Sequence, residues 1–187
     1  MSEFSINNHF TESAKLFNKL PELSNEVEAI AKIMLQSLEG GGRIFWFGNG
    51  GSASDAEHLA AELSGKYEHD RKPLDSIALT ANTSVLTAIA NDFGYENVFS
   101  RQVHAHARAG DVVIGISTSG SSKNVLMGLE AGADLGAITI LLTGNLAFNT
   151  AMLDYVIQVP SSITAHIQEA HIAIGQAICG YIENAYL

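Results

Sequence analysis

The sequence predicts an α/β fold, a three-layer αβα sandwich around a five-stranded parallel sheet that is preceded by N-terminal helices. Five short runs are apolar at nearly every position, which is typical of strands buried on both faces of a sheet. Helical patterns separate these runs and supply the crossovers that parallel strands require. With 187 residues, 47% of them hydrophobic, the chain has the size and composition of one domain, and we expect residues 1–187 to form it.

The predicted elements follow one another in a regular order. Apolar residues recur at helical spacing from Phe10 to Leu20 and again from Val27 to Leu38, so two amphipathic helices open the chain. Strands are predicted at residues 43–47, 76–80, 112–117, 137–143 and 155–159. A loop is predicted at 66–75, and a long helix over 164–186 closes the chain.

Charge and cysteine content exclude several classes of function. The 20 acidic residues outnumber the 10 lysines and arginines, for a formal charge of -10, so we expect neither a nucleic-acid partner nor a membrane surface. Cys179 is the single cysteine, which excludes a disulfide framework and a thiolate zinc site. No stretch approaches the ~18 apolar residues of a membrane span, and the polar first ten residues lack a signal-peptide pattern. These features predict a cytoplasmic protein.

Two strand-to-helix loops carry residues that suit an anionic ligand. Ligands of open parallel sheets bind at the carboxyl ends of the strands. The first strand runs into residues 48–55, whose glycines let backbone N–H groups approach an anion. The third strand runs into residues 117–122, where four serines and a threonine surround Gly120. Hydroxyls and helix N-terminal N–H groups together can hold a phosphate without lysine or arginine.

Other interpretations of these loops differ in strength. A dinucleotide site needs an acidic residue after the second strand, where Thr80 and Ala81 stand instead. A nucleoside-triphosphate P-loop needs a lysine before the final hydroxyl residue, whereas Lys123 follows Ser122. Ordinary turns with capping serines stay open as an alternative for either loop alone.

Polar residues on two helices are further candidates. His58 and Glu62 lie four residues apart, hence on one face of the helix after the first loop, and we expect them in its first turns. They form either a solvated surface pair or a base beside a metal ligand. Gln168, Glu169 and His171 interrupt the apolar pattern of the last helix, either as a buried hydrogen-bonded cluster or as ligand contacts.

Two other polar pairs have simpler interpretations. Asn91 and Asp92 end a short helical pattern and are typical of a helix C-terminus and turn. His104 and His106 occupy alternate positions of a helical pattern, so they do not share a face and are expected to be solvated.

Four stretches together resemble the phosphoheptose isomerases of the sugar isomerase (SIS) family: residues 47–65, 91–94, 115–120 and 167–171. The resemblance implies a SIS domain with the sheet wound as in flavodoxin. It also implies a homotetramer with active sites between subunits, in which residues 1–40 pack as a helical extension. It implies conversion of sedoheptulose 7-phosphate into D-glycero-D-manno-heptose 7-phosphate, through an enediol, for the lipopolysaccharide core. It also implies a zinc ion, which many members of the family contain.

The resemblance implies roles for individual residues as well. The phosphate of the substrate would be held by Ser117, Thr118, Ser119 and Ser122. Further substrate contacts would come from Asn49, Gly50, Gly51, Glu62, Asn91, Asp92 and Gln168. The zinc ligands would be His58, Glu62 and Gln168, and Glu62 would be the catalytic base with His58 beside it.

Two positions depart from the family pattern. Gln176 stands where the family typically carries a second histidine, and an amide cannot exchange a proton near neutral pH. Gln168 and Gln176 would lie ~12 Å apart along a continuous helix, so both serve one site only if subunits share it or the helix starts after Gln168. The loop at 144–149 lacks the lysine and further glycines that the family more often shows.

A non-catalytic function is the alternative. Replication-initiator-associating proteins resemble the same subfamily, bind a protein partner as tetramers and typically have no acidic residue at the base position. The presence of Glu62 favours the isomerase, whereas the loss of histidine at 176 favours the alternative. A sugar-phosphate sensor that binds without turnover is a third interpretation.

Overall fold

The computed structural model describes residues 4–145 and 153–187. Within these residues the strands are β1 Ile44–Gly48, β2 Ser76–Ala78, β3 Val112–Ser117, β4 Ile138–Gly144 and β5 Tyr155–Val159. All neighbouring pairs are parallel, and the strand order β2-β1-β3-β4-β5 is that of flavodoxin. Every predicted strand is confirmed, each boundary within two residues of its expected position.

The helices of the described ranges are α1 Ile6–Phe17, α2 Ser24–Glu39, α3 Gly51–Ser64, α4 Thr83–Phe93, α5 Ser100–His106, α6 Lys123–Asp134 and α7 Thr164–Asn184. Short 3-10 helices lie at Leu20–Leu23 and Tyr95–Asn97. Capping explains two of the helix starts, because the side chain of Ser5 accepts the N–H of Asn8 and that of Asn82 accepts the N–H of Val85. In the described ranges, no helix combines the length and the apolar character that a membrane span requires.

Helices cover both faces of the sheet. Alternate residues of β1 point to opposite faces, so Ile44 and Trp46 pack with α2, α3 and α7, whereas Phe45 and Phe47 pack with α5 and α6. All four side chains are fully buried, and burying a side chain of this size contributes roughly 1.5–3 kcal/mol. The three-layer sandwich is confirmed.

The sheet brings the two predicted anion-binding loops together. The crossovers that follow β1 and β3 lead to opposite sides of the sheet, and Gly48 at the end of β1 pairs with Ile116 near the end of β3. Ligands of open parallel sheets bind at this switch point. The two loops are therefore neighbours at the carboxyl edge.

Helices α3 and α7 lie side by side on one face of the sheet. A side-chain carbon added at Gly175 would lie 2.4 Å from the Leu59 side chain, so the two helices need a glycine at this contact. Because α7 begins at Thr164, Gln168 and Gln176 belong to one continuous helix, and the alternative in which the helix starts after Gln168 is wrong.

Two predicted loops have different outcomes. The loop at 66–75 is confirmed, and Glu183 of α7 holds it by accepting the backbone N–H groups of Tyr67, Glu68 and His69 at 2.7–2.8 Å. Of the loop at 144–149, only Gly144 and Asn145 lie within the described residues.

Candidate functional site

The loop after β3 gathers hydroxyl groups at the N-terminus of α6. Ser117 Oγ donates to Ser122 Oγ at 3.0 Å, and Ser119 Oγ accepts the Ser121 hydroxyl at 3.1 Å. Gly120 turns the chain with a φ of +63°, a conformation that favours glycine. Thr118 continues the same loop and is half-buried, and its carbonyl accepts the N–H of Gly144. The four serines and the threonine thus lie together as expected.

Backbone donors complete this loop. In the part of the chain that the structure describes, the N–H groups of Lys123 and Asn124 in the first turn of α6 have no acceptor. The Lys123 ammonium points into solvent and lies 3.7 Å from Glu96. The site can therefore attract a phosphate through hydroxyls, N–H groups and the positive end of the helix dipole.

Asn49 connects the loop after β1 to the loop after β3, residues 117–122, which we call the serine loop. Its side-chain amide and that of the buried Asn124 donate to one another, both at 2.8 Å. The Tyr95 hydroxyl also donates to Asn49 Oδ1 at 3.0 Å. Neither Asn124 nor Tyr95 was among the predicted site residues. A polar residue in the first turn after the serine loop was a usable signal for Asn124, whereas nothing in the sequence joined Tyr95 to Asn49.

Gly50 and Gly51 form the start of α3. Gly50 is the N-cap with a φ of +58°, and its missing side chain leaves open space above the turn. A side-chain carbon at Gly51 would lie 1.6 Å from Gln168 Nε2, so the Gln168 amide occupies the space directly beside Gly51. Gln168 therefore lies at the N-terminal end of α3.

His58 and Glu62 form a pair on α3. His58 Nε2 lies 2.8 Å from Glu62 Oε1, with the two side chains 51% and 13% exposed. The other carboxylate oxygen, Oε2, is buried without a hydrogen-bond partner among the described residues. Gln176 Nε2 lies 3.5 Å from Glu62 Oε1, at the outer limit of a hydrogen bond. Glu62 thus keeps one oxygen free for a ligand.

The expectation that His58 and Glu62 lie in the first turns of their helix is wrong. Helix α3 begins at Gly51, so His58 is its eighth residue and Glu62 its twelfth. At 1.5 Å per residue, Glu62 lies about 16 Å along the helix from Gly51. Within one chain Glu62 therefore lies near the opposite end of α3 from Gly51 and Gln168. The role of Gln168 as a ligand stays a prediction.

Asn91 and Asp92 lie near the C-terminal end of α4, and the predicted helix end is confirmed. Both are exposed, and Asn91 Nδ2 donates to Asp92 Oδ1 at 2.7 Å. Their contact with substrate stays a prediction. His104 and His106 of α5 are exposed as expected.

Polar residues of α7 have unequal surroundings. Glu169 accepts a hydrogen bond from Ser13, and its Oε1 lies 3.0 Å from His9 Nε2. His166 Nε2 lies 3.1 Å from His9 Nδ1, and His9, His166 and Glu169 together are a possible metal-binding group. His171 is fully buried, which lowers its pKa to about 4 despite the nearby Thr143 backbone.

Comparison with known proteins identifies the family. The model of the SIS domain matches residues 8–144. The phosphoheptose isomerase of Rhodospirillum rubrum is 47% identical over 174 residues, which cover 92% of this chain and 93% of that protein. The chain belongs to the phosphoheptose isomerases of the SIS domain family. The resemblance inferred from the four sequence stretches is thereby confirmed.

Solved structures of phosphoheptose isomerases share the fold. The enzyme from Neisseria gonorrhoeae matches with a TM-score of 0.90 at 43% identity, covering 96% of this chain and 97% of that one. The enzyme from Francisella tularensis matches with a TM-score of 0.92 at 34% identity, covering 96% of both. The SIS match itself spans the two anion loops and the His58–Glu62 pair, and ends before α7.

Proposed function

We propose that the chain isomerises sedoheptulose 7-phosphate to D-glycero-D-manno-heptose 7-phosphate, a step that supplies the heptose of the lipopolysaccharide core. The observation that carries this proposal is the buried, unpartnered Oε2 of Glu62 beside His58, in a chain 47% identical to a phosphoheptose isomerase. The lone Cys179 is buried and fits a reducing cytoplasm, where the substrate would be made.

The serine loop would hold the phosphate end of the substrate. Ser117, Ser119 and Ser122 supply hydroxyls, and the first turn of α6 supplies N–H groups. Thr118 lies in the same loop, and Asn49 with Gly50 and Gly51 lines its other side. These contacts are remote from the reacting carbons, so their binding energy would fix those carbons against the catalytic base.

Glu62 would transfer the proton. Isomerisation of a ketose removes a proton from the carbon beside the carbonyl and returns it to the neighbouring carbon, with an enediol between the two steps. The two carbons are neighbours, so a single carboxylate held against one face of the sugar can make both transfers. His58, 2.8 Å from Oε1, would orient the carboxylate and leave Oε2 towards the substrate.

A zinc ion fits part of this site. His58 Nε2 and Glu62 Oε1, 2.8 Å apart, offer a nitrogen and a carboxylate oxygen to an ion, which would leave the unpartnered Oε2 for proton transfer. Gln176 would add only a neutral amide oxygen. When bound, the ion would supply Lewis acidity for the sugar oxygen on which negative charge develops.

The site would be completed by a second copy of the chain. Seven carbons and a phosphate, with bonds of about 1.5 Å, extend roughly 10 Å, which is less than the ~16 Å along α3 that separates Glu62 from Gly51, next to the loop after β1. Gln168 would likewise reach the His58–Glu62 pair only from another copy. Phe4, Ile6 and Phe10 are 77%, 67% and 66% exposed, an apolar surface on residues 1–40 that suits contacts in a homotetramer.

The test is incubation of the protein with sedoheptulose 7-phosphate and detection of the aldose, with and without added zinc. Glu62→Gln should lower turnover by about 100- to 10,000-fold because the base is lost, while calorimetric binding of the phosphosugar stays largely intact. Glu130→Gln, an exposed change on α6, is the matched control and should keep full turnover.

The outcome also decides between the isomerase and the alternatives. Absence of turnover by the unchanged protein under both conditions would reject the enzyme. Tight binding of a replication initiator would then support a regulatory protein, and phosphosugar binding alone would support a sensor. Retained activity in Glu62→Gln would remove Glu62 from the role of base.

A further inference from the structure

His9, His166 and Glu169 form a cluster between α1 and the first turns of α7. His9 Nδ1 lies 3.1 Å from His166 Nε2, and His9 Nε2 lies 3.0 Å from Glu169 Oε1. His166 is buried with 4% of its surface exposed, and the other two side chains are partly buried. Among the described residues, no other set of three His, Cys, Asp or Glu side chains brings its ligand atoms this close, within 4.8 Å of one another.

The cluster is separate from the site proposed for isomerisation. His166 and Glu169 are three residues apart and share the face of α7 that packs on α1. Gln168 points instead to Gly51 at the start of α3. The cluster also uses α1, a helix that contributes no residue to the serine loop or to the His58–Glu62 pair.

The donor set has the composition of a zinc site, and its two imidazoles have the spacing of one. Two imidazoles and a carboxylate are common zinc ligands, and zinc–nitrogen distances of about 2.0–2.1 Å place two tetrahedral ligands roughly 3.3 Å apart. The separation of 3.1 Å between His9 Nδ1 and His166 Nε2 is close to that value, so an ion would bind these two nitrogens in place of the proton that they otherwise share. Glu169 contacts the other nitrogen of His9, and its carboxylate would turn towards the ion, since one ligand atom of each residue lies within 4.8 Å of the others.

A second layer of contact supports the carboxylate. The hydroxyl of Ser13 on α1 donates to Glu169 Oε2, the oxygen that does not face His9. Such a hydrogen bond fixes the orientation of a ligating carboxylate. Three protein ligands leave a fourth tetrahedral position for water.

We propose that His9, His166 and Glu169 bind a divalent transition metal of the zinc type, which fastens α1 to α7. The clip would hold in place the helix that presents Ile6 and Phe10 to solvent. It would therefore connect metal supply to the apolar surface that is proposed above for contacts between copies of the chain, and this part of the inference rests on that proposal.

The test uses the full chain, free of affinity tag, with both His58→Gln and Glu62→Gln so that the candidate catalytic metal site is silent. Metal-free protein is titrated with zinc against a chromophoric chelator and with cobalt, whose visible absorption reports tetrahedral coordination. We expect one zinc per chain. Adding His9→Gln should weaken zinc binding at least about tenfold and remove the cobalt spectrum.

Two further measurements complete the test. Adding His104→Gln, a change of an exposed histidine on α5, is the matched control and should leave the titration unchanged. Because His9 is partly exposed, its variant should keep the circular dichroism of the parent, but zinc should no longer raise its melting temperature. The proposal is overturned if the doubly changed parent binds no zinc, or if His9→Gln binds zinc as tightly as that parent.

Discussion

Asp55 lies three residues before His58 and seven residues before Glu62, on the same face of α3. Its Oδ2 is buried without a partner among the described residues, and burial raises its pKa to about 6, partly opposed by His58. In the unfolded chain the pKa is the ordinary 3.8, so the folded state holds the proton more tightly. The contribution of Asp55 to the free energy of unfolding therefore falls as the pH rises from about 4 to 6, and stays low above pH 6.

Asp55→Asn should accordingly stabilise the protein at pH 8, by about 1 kcal/mol after allowance for the partial exposure of the carboxyl group. The gain should shrink towards zero near pH 4, where the native carboxyl is protonated. Urea unfolding at pH 8, 6 and 4 measures it, and Glu57→Gln, on the exposed side of the same helix, is the control. A gain that is equal at all three pH values would contradict burial of the charge as its cause.

Gln176 is the residue that most limits a metal at the His58–Glu62 pair. It stands 3.5 Å from Glu62 Oε1 and offers only an amide, whereas an imidazole there would add a strong zinc ligand. Gln176→His should tighten zinc binding by at least about tenfold, measured by chelator competition. Gln36→His adds a histidine on the exposed face of α2 and should change nothing. Equal affinity in the two variants would exclude position 176 from the metal site.

Helix α7 stabilises the chain beyond the site through Glu183 near its end. Burial alone raises the pKa of this carboxyl, but the N–H groups of His69, Glu68 and Tyr67 and the guanidinium of Arg71 together lower it below its ordinary value of 4.5. Arg71, 3.6 Å from Glu183, also donates to the Glu62 carbonyl at 2.7 Å. The end of α3 and the 66–75 loop therefore depend on this one carboxylate.

Glu183→Gln should cost about 3 kcal/mol of unfolding free energy at pH 7, because it leaves the buried Arg71 charge unpaired. The native contribution is complete above about pH 4.5 and is lost as the pH falls through the lowered folded-state pKa, so the two proteins should converge in acid. Denaturant unfolding at pH 7 and below pH 4 tests both statements. A difference that persists unchanged in acid would point to lost packing instead of lost charge.

The sequence predicted the strands well because each is apolar at nearly every position, a local property. It misjudged where α3 begins, since the glycines of residues 48–51 are equally compatible with a loop and with a helix start. Gly50, at a φ of +58°, ends the turn at once and α3 starts at Gly51. Because α3 begins this early, His58 and Glu62 lie in its later turns and not at its N-terminus.

Contacts between distant positions could not be predicted. Helical spacing found His58 with Glu62, four residues apart, but Asn49 and Asn124 are separated by 75 positions, and His9 and His166 by 157. Each of those pairs exists only because the sheet order or the docking of α1 brings two elements together. Resemblance to a family transfers residues that occur in its motifs, and His9 lies outside all of them.

The proposed homotetramer should divide its active site between copies of the chain, since Glu62 lies ~16 Å along α3 from Gly51, a span longer than the substrate. Ser119→Asp would repel the phosphate, and Glu62→Gln would remove the base, so each variant alone should be inactive. Mixed oligomers should regain activity, because some sites would take an intact serine loop from one copy and an intact Glu62 from another.

If copies mix at random among equivalent positions of a symmetric oligomer, roughly a quarter of the sites would be intact in a one-to-one coexpression. Isomerase activity of the purified mixture, compared with that of the unchanged protein, measures this fraction. Coexpression of Glu62→Gln with His58→Gln is the control: the two changes fall on the same face of α3, so every site stays defective. If the coexpressed Ser119→Asp and Glu62→Gln variants are as inactive as this control, each chain carries a whole site of its own.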